Sequence, residues 1–454
     1  MKSMKLNKIR IFCAVAFFMP ISILAQEEIT KPMSLEECVN YALENNRNLK
    51  TTRMEEAIAE TQVGETRSMG LPQVKFQSGM NYNYEVQKAF LPNEILGNPE
   101  PGFTPVQFSP EYDGNAAFSV SQLLFDGSYF VGLQAAKTLR ELRQKESNQS
   151  EVETVEAITK AYYLVLITEE RLKLLDANQE QLERVLKETK VLYENGFAEK
   201  IDVDRINVNY NNIQTENNKA KRSFDVSMDM LKFQMGMPIN SPLELSGSIS
   251  NLTLEAEEYL NKSENFDYRE RSEFSILQVN QDLANLDLRN NKATHLPKLH
   301  ANFSYGWNSG VNGTSELFDF SNNWLSFGAV GISIQWNLFT GLNRSSKMEK
   351  NRIQIEQIEI QKEQLKSSID MEIKKAKDDL KSAKESMDVQ KQNMALAQSV
   401  YEQIETKYKN GLASSRELLD AETSKKEAET NYYSSLYDAV IAKIELEKAL
   451  GILY

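Results

Sequence analysis

The chain has 454 residues with 26% charged, 19 glycines, 11 prolines and two cysteines, and its helix-forming tracts run far beyond the usual three turns, which excludes a set of compact globules. A formal net charge of -13 excludes nucleic acid as a partner, because phosphate binding needs a basic surface. Two cysteines exclude a disulfide framework.

Lys2, Lys5, Lys8 and Arg10 precede an apolar run over residues 11–24, which ends Ser22-Ile23-Leu24-Ala25-Gln26. A basic start, a short apolar run and a small residue before the break read as a secretory signal peptide over residues 1–25. The other reading is a membrane anchor, but about 14 apolar residues fall short of the roughly 20 that a spanning helix needs. Cleavage removes Cys13 and leaves Cys38 alone. No later segment is long and apolar enough to span as a helix, so a membrane crossing by this chain has to use β-strands.

Ser34-Leu35-Glu36-Glu37 has the spacing of a capping box and opens a helix with Cys38, Val39, Ala42 and Leu43 on one face. Helix continues to Met69, where Gly70 and Pro72 stop it. Over residues 74–87 the period then changes to two. Val74, Phe76, Ser78, Met80, Tyr82, Tyr84 and Val86 alternate with Lys75, Gln77, Gly79, Asn81, Asn83 and Glu85. One apolar and one polar face suit a membrane barrel with a wet lumen, and equally a soluble sheet packed on one side. The pattern returns over residues 298–307, and the strands following these two lie at about residues 116–124 and 324–338, the latter with Trp324, Val330, Ile332, Ile334 and Trp336 on one face. Repetition of the pattern, with Tyr and Trp concentrated in it, favours the barrel and its interfacial girdle. The proline-rich stretch 87–115 and the Gly/Asn/Ser-rich stretch 308–323 read as loops.

Two helical hairpins follow the strand pairs, at about residues 128–236 and 342–450. In the first, Val155, Ile158, Tyr162, Val165, Leu172, Leu175, Leu182, Val185 and Leu192 recur at steps of three, four and seven, as do Ile355 through Met387 in the second. This is a coiled-coil seam. Each hairpin is broken by the same corner, Tyr193-Glu194-Asn195-Gly196-Phe197-Ala198 and Tyr408-Lys409-Asn410-Gly411-Leu412-Ala413, where Asn-Gly asks for positive φ and a turn. The corners lie 215 residues apart, as do Gly236 and Gly451, and Leu124-Phe125-Asp126-Gly127 lies 214 from Leu338-Phe339-Thr340-Gly341. The chain is therefore a duplication. Its parts are a first repeat over residues 26–236, a linker over 237–265 and a second repeat over 266–454, with about eleven extra residues in the first loop.

Four strands cannot close a barrel, since membrane barrels start at about eight and open edges are not tolerated in lipid. Several copies must share one barrel. Three copies would supply twelve strands, although the sequence does not fix the number.

The chain resembles the TolC-like outer membrane efflux protein family. The resemblance is carried by Ser34-Leu35-Glu36-Glu37 with Ala42-Leu43-Glu44-Asn45-Asn46, the Leu-Pro strand openers, Ser121-Gln122-Leu123-Leu124-Phe125-Asp126-Gly127, the two Tyr-x-Asn-Gly tips, and Leu418-Leu419-Asp420-Ala421-Glu422. It implies an α+β membrane protein that assembles as a homotrimer. A 12-stranded barrel would sit in the lipid of the cell outer membrane, continued by a long periplasmic α-helical barrel with an equatorial belt that takes in the linker. The implied function is a passive exit duct of an efflux or type I secretion system, joined through a periplasmic adaptor, or membrane fusion protein, to an inner-membrane efflux transporter. The tips Asn195, Gly196, Phe197, Asn410, Gly411 and Leu412 match the loops where adaptors dock, though each glycine is also explained by its turn. Glu417 and Asp420 match the acids that ring the aperture, one helical turn apart. Glu417 is equally the third residue of a capping box that starts at Ser414. Asp202 and Tyr408 match an aperture clasp whose basic partner falls on Ala413, so any lock here is partly different.

A periplasmic coiled-coil adaptor is the rival reading, and it would not need four alternating strands with aromatic girdles. An enzyme has little support. The only histidines, His295 and His300, lack metal-ligand companions at useful spacing, and no cofactor is expected.

Overall fold

The computed structural model describes residues 32–97, 99–247, 249 and 266–453. The expected signal peptide and most of the expected linker lie outside the described residues. Two helices open the described chain, α1 (Leu35–Asn45) and α2 (Arg47–Ser68). Ser34 and Glu37 form the reciprocal capping box at the start of α1, and Asn46 caps α2 by accepting from the Leu49 amide.

Strand β1 (Gln73–Tyr82) follows, then a small hairpin of β2 (Lys88–Pro92) and β3 (Phe103–Gln107), then β4 (Tyr112–Phe125). After the helices of the first half come β5 (Lys298–Val311) and β6 (Leu325–Gln335). The main sheet is antiparallel in the order β1-β4-β5-β6, so the two repeat hairpins lie side by side. Its register tests the two-face reading directly. Phe76, Phe118 and Tyr305 share one cross-strand row, and Val120, Phe303 and Val330 share another, while Lys75, Ser119, Ser304 and Ala329 form a row on the opposite face. The Phe76 and Phe118 rings sit 4.8 Å apart. The apolar face is bare: Val330 is 84% exposed, and Ile332 and Ile334 are 68% exposed. A sheet with an uncovered apolar face and a polar back matches a lipid-facing wall.

Several expectations need correction. The first strand stops at Tyr82 instead of running to 87, because Asn83 turns away and bonds Pro110 and Asp113. The loop expected over 87–115 contains the β2/β3 hairpin, in which Pro92 and Pro105 are tolerated because each strand of a two-stranded ribbon has a free edge. The strand expected over 324–338 ends at Gln335, so Trp324 and Trp336 both lie outside β6, and their indoles donate to the Leu317 and His295 carbonyls. Phe327 falls on the polar row, opposite Gly306.

Asp126 joins sheet to helix. A bulge between Leu123 and Phe125 ends β4, and the Asp126 carboxylate then accepts from the amide and hydroxyl of Ser128, each at 2.8 Å, and from the Lys298 ammonium at 2.8 Å. This caps α3 (Gly127–Glu194) and ties it to the first residue of β5. The second repeat has lost this cap. Thr340 stands in place of the aspartate, and Gly341 and Leu342 both take the left-handed conformation before the next long helix.

α3 has 68 residues, roughly 100 Å at about 1.5 Å per residue, and turns into α4 (Lys200–Met235). The second half runs α5 (Ser272–Ala293), then, beyond the sheet, α6 (Asn343–Lys409) and α7 (Ser415–Ala449). Each long helix is flanked by two shorter ones stacked end to end. α4 ends at Gly236, φ 75°, against the start of α2, where a Cβ would lie 2.2 Å from the Asn45 carbonyl oxygen and the Asn46 amide donates to Gln234. α7 ends at Gly451, φ 68°, against the start of α5, where Arg271 donates to the Ala449 carbonyl. Backbone this close requires glycine. Around the first joint lies an apolar cluster that includes Cys38, Ile158, Val165, Leu231, Met235 and Leu436. Residues Glu244 and Ser246 of the linker bond Met33 there.

The two faces of the sheet are expected to respond oppositely to charge. Val330→Arg should lower the fraction of protein that folds into liposomes, as read by gel mobility, by about 2–4 kcal/mol if the site lies near mid-bilayer. Ala329→Arg, one residue away on the polar face, should fold like the parent.

Candidate functional site

The candidate site is the far end of the helical hairpins. Both corners use one construction: Asn195 and Asn410 donate to the carbonyls of Val191 and Thr406, and Gly196 and Gly411 take φ 79° and 72°. The next amides, of Phe197 and Leu412, return to the carbonyls of Leu192 and Lys407 at 2.8 Å, which closes each helix end. No atom lies within 4 Å of where a Cβ would stand on either glycine, so the backbone angle, not crowding, demands glycine. The result is two projecting apolar tips, Phe197 at 82% and Leu412 at 78% exposed.

Behind the tips the hairpins meet in an apolar cluster that includes Leu182, Val185, Ile206, Ile213, Tyr401 and Leu418. Polar bonds cross this seam at successive levels. Nearest the tip the Ser415 hydroxyl donates to Asp202 at 2.5 Å, and Thr189 and Tyr408 share a hydrogen bond of 2.9 Å. Further on, Asn209 donates to Glu422 at 2.9 Å and Gln181 to Glu405 at 3.4 Å. Beyond these lies a buried group in which Asn178 donates to Glu429, accepts from Lys425, and the ammonium sits 5.0 Å above the Tyr401 ring. Lys426 pairs with Glu216 at the rim.

The residues expected to form an aperture are thus placed as follows. Asp202 and Tyr408 each bridge the hairpins but through separate partners, Ser415 and Thr189. Asp202 also accepts from the Glu199 amide, completing the capping box of α4. Burial pushes the Tyr408 hydroxyl above its usual range, helped by the neighbouring charge of Asp202, with the Thr189 bond opposing. Glu417 is the third residue of the α7 capping box, accepting from the Ser414 amide at 2.7 Å and its hydroxyl at 3.0 Å, and those bonds hold it below the usual carboxylate range. Asp420 projects into solvent with Arg416 3.9 Å away, a pair too exposed to bind it tightly. The inner polar levels escaped the sequence reading. The signal for them exists: on the stripe Leu418, Ala421, Lys425 and Leu436, a lysine occupies a core position, flanked by Glu422 and Glu429.

Residues 38–237 and 269–452 match the family described as outer membrane efflux protein. The chain belongs to that family. It is 22% identical to the outer membrane protein TolC of Vibrio cholerae over 428 residues, covering 92% of this chain and 91% of that one. It is 21% identical to the proteases secretion protein PrtF of Dickeya chrysanthemi, covering 72% and 68%. The crystal structure of the Campylobacter jejuni CmeC outer membrane channel superposes with a TM-score of 0.72 at 16% identity, covering 92% of this chain and 86% of that one. Membership of the outer membrane efflux family places the protein in the outer membrane as a channel for efflux or secretion, with its helices on the periplasmic side. The adaptor reading falls away.

The buried group behind the tip yields a sharp expectation. Lys425→Ala leaves Glu429 buried without its cation and should cost about 3–5 kcal/mol in denaturant melts. Replacing Asn178, Lys425 and Glu429 together by Leu, Met and Leu should recover most of that loss.

Proposed function

We propose that three copies of this chain close one 12-stranded barrel and continue it as a tunnel of twelve helical rods, forming a passive duct. The observation that carries this reading is the pair of open edges: β1 and β6 end the sheet, and no other element among the described residues covers the sheet's apolar face. In lipid those edges must be paired, and only further copies of the same sheet can pair them in a closed ring. In this assembly the first repeat, residues 26–236, and the second, 266–454, alternate around the ring, with linker 237–265 in the equatorial belt.

The tips at Asn195-Gly196-Phe197 and Asn410-Gly411-Leu412 are the docking points of a periplasmic adaptor, which connects the duct to an inner-membrane transporter. Their projecting Phe197 and Leu412 support this, since exposed apolar side chains on rigid turns are suited to burial by a partner. Asp420 and Glu417 line the aperture, where rings of carboxylates favour cations. Opening parts the second hairpin from the first near Asn410-Gly411, by breaking the cross-hairpin bonds of Asp202 and Tyr408. The duct performs no chemistry and selects little, so substrate choice rests with the transporter.

Two measurements test this. Light scattering on the detergent-extracted protein, corrected for bound detergent, should give three times the mass of the processed chain; a monomer soluble without detergent would overturn the barrel. In bilayer recordings, Asp420→Ala should raise single-channel conductance and weaken cation preference. A trace unchanged in both respects would remove Asp420 from the aperture.

A further inference from the structure

Glu422 stands apart from the other acids of the seam. Asp202, Asn209 and Glu216 recur every seven residues on α4, and Ser415, Glu422 and Glu429 every seven on α7; Asp202 meets Ser415 and Asn209 meets Glu422 across the seam, while Glu216 takes Lys426 and Glu429 takes Asn178. Within this polar line Glu422 is 8% exposed and has one hydrogen bond across the seam, from the Asn209 amide. The charged groups around it are engaged elsewhere. On α7, Lys425 is held by Asn178, Glu429 and the Tyr401 ring, and Lys426 by Glu216 of α4. On α6, Tyr401 neighbours Glu422 and also Glu405, which is bonded to Lys409 and Gln181, and Arg184 of α3 lies beside Tyr401.

We propose that Glu422 is a proton-linked latch of the α4–α7 seam: protonated, it lets the two hairpins pack dry against each other, and ionised, it draws water into the seam and loosens it. The physical reason is desolvation. A carboxylate out of water with one amide donor is poorly compensated, whereas its neutral acid keeps that hydrogen bond at little cost. Burial accordingly pushes Glu422 up to about 7, with Lys426 and Lys425 opposing only in part. The closed seam therefore binds the proton more tightly than an opened, hydrated one. Acidification favours closing. Stability of the seam falls as pH rises from the ordinary carboxylate range through about 7, and is constant above that. If the tips are the gate, as proposed above, a more acidic periplasm holds the duct shut. The latch itself stands or falls on the seam alone.

The test is amide hydrogen exchange of the full detergent-extracted protein, followed by mass spectrometry over residues 200–213 and 415–429 and corrected for intrinsic exchange rates. Between about pH 5 and about pH 8, protection in the parent should fall by about tenfold or more. Glu422→Gln, which keeps the size and the acceptor oxygen, should be equally protected at both. Asn209→Leu removes the donor that favours the ionised form and should move the upper end of the transition above about 7. A flat profile in the parent, an undiminished pH response in Glu422→Gln, or an unmoved transition in Asn209→Leu would each overturn the latch. None of these readouts depends on conductance, so the latch can fail while the duct reading stands, and the reverse.

Discussion

Backbone amides and carbonyls at the edge of a sheet must be paired when water is absent, and in this chain that constraint reaches every other feature. Both edges of the β1-β4-β5-β6 sheet are free among the described residues, and the side chains of its apolar rows pack on one another with no other described element over them. A soluble protein would cover that face with a helix. Here the helices leave the sheet from one end and run away along its axis, because Asp126 and the left-handed Gly341-Leu342 pair each redirect the chain there. The sheet and the rods thus lie end to end rather than forming two sides of one core.

Helix length follows from the same geometry. A rod of roughly 100 Å cannot be stabilised by its own hydrogen bonds against so much charged surface, and must lie along neighbours for its whole length. The duplication supplies them. α3 packs with α2 and α4 stacked end to end, and α6 with α5 and α7 stacked in the same way, so each unbroken rod splints a broken one. The breaks coincide with Gly236 and Gly451, each in positive φ with the backbone of the neighbouring short helix packed against it. Further contacts sit at these joints, with Met33 bonded to Glu244 and Ser246 at the first and Arg271 held by Glu273 and Glu372 at the second.

Sequence reading recovered what is local or periodic. Alternation over 74–82 and 298–307, the capping boxes at Ser34 and Ser414, and the Asn-Gly corners are set by neighbouring residues, and each is where those residues place it. It lost what depends on partners far along the chain. The β2/β3 hairpin hides in a proline-rich stretch because its prolines sit at free edges, where they break no ladder. Asp202 and Tyr408 could be named from the family pattern, but their actual partners, Ser415 and Thr189, are set by how two hairpins more than two hundred residues apart are rotated against each other. The buried Asn178, Lys425 and Glu429 group was passed over because charge on a helix is most often solvated, and only the three-dimensional seam shows that this stretch is not.

Why a seam should spend buried polar groups where leucines would serve is answered by the spacing. α4 and α7 both run away from the tip, so two parallel helices with seven-residue repeats could slide by one repeat and still match apolar to apolar. The polar line forbids it. A shift of one repeat in one direction sets Asp202 against Glu422, and in the other direction sets Glu216 against Glu422. Either pairing brings two carboxylates together at a position with little access to water, where like charges are most costly. The observed register also sets Glu216 level with Glu429, but there Lys426 pairs with Glu216 and Asn178 and Lys425 hold Glu429, while Asp202 meets Ser415 and Glu422 meets Asn209. An apolar seam would be at least as stable, since buried ion pairs gain little over well-packed hydrocarbon. It would also lack a unique register, which the polar line supplies.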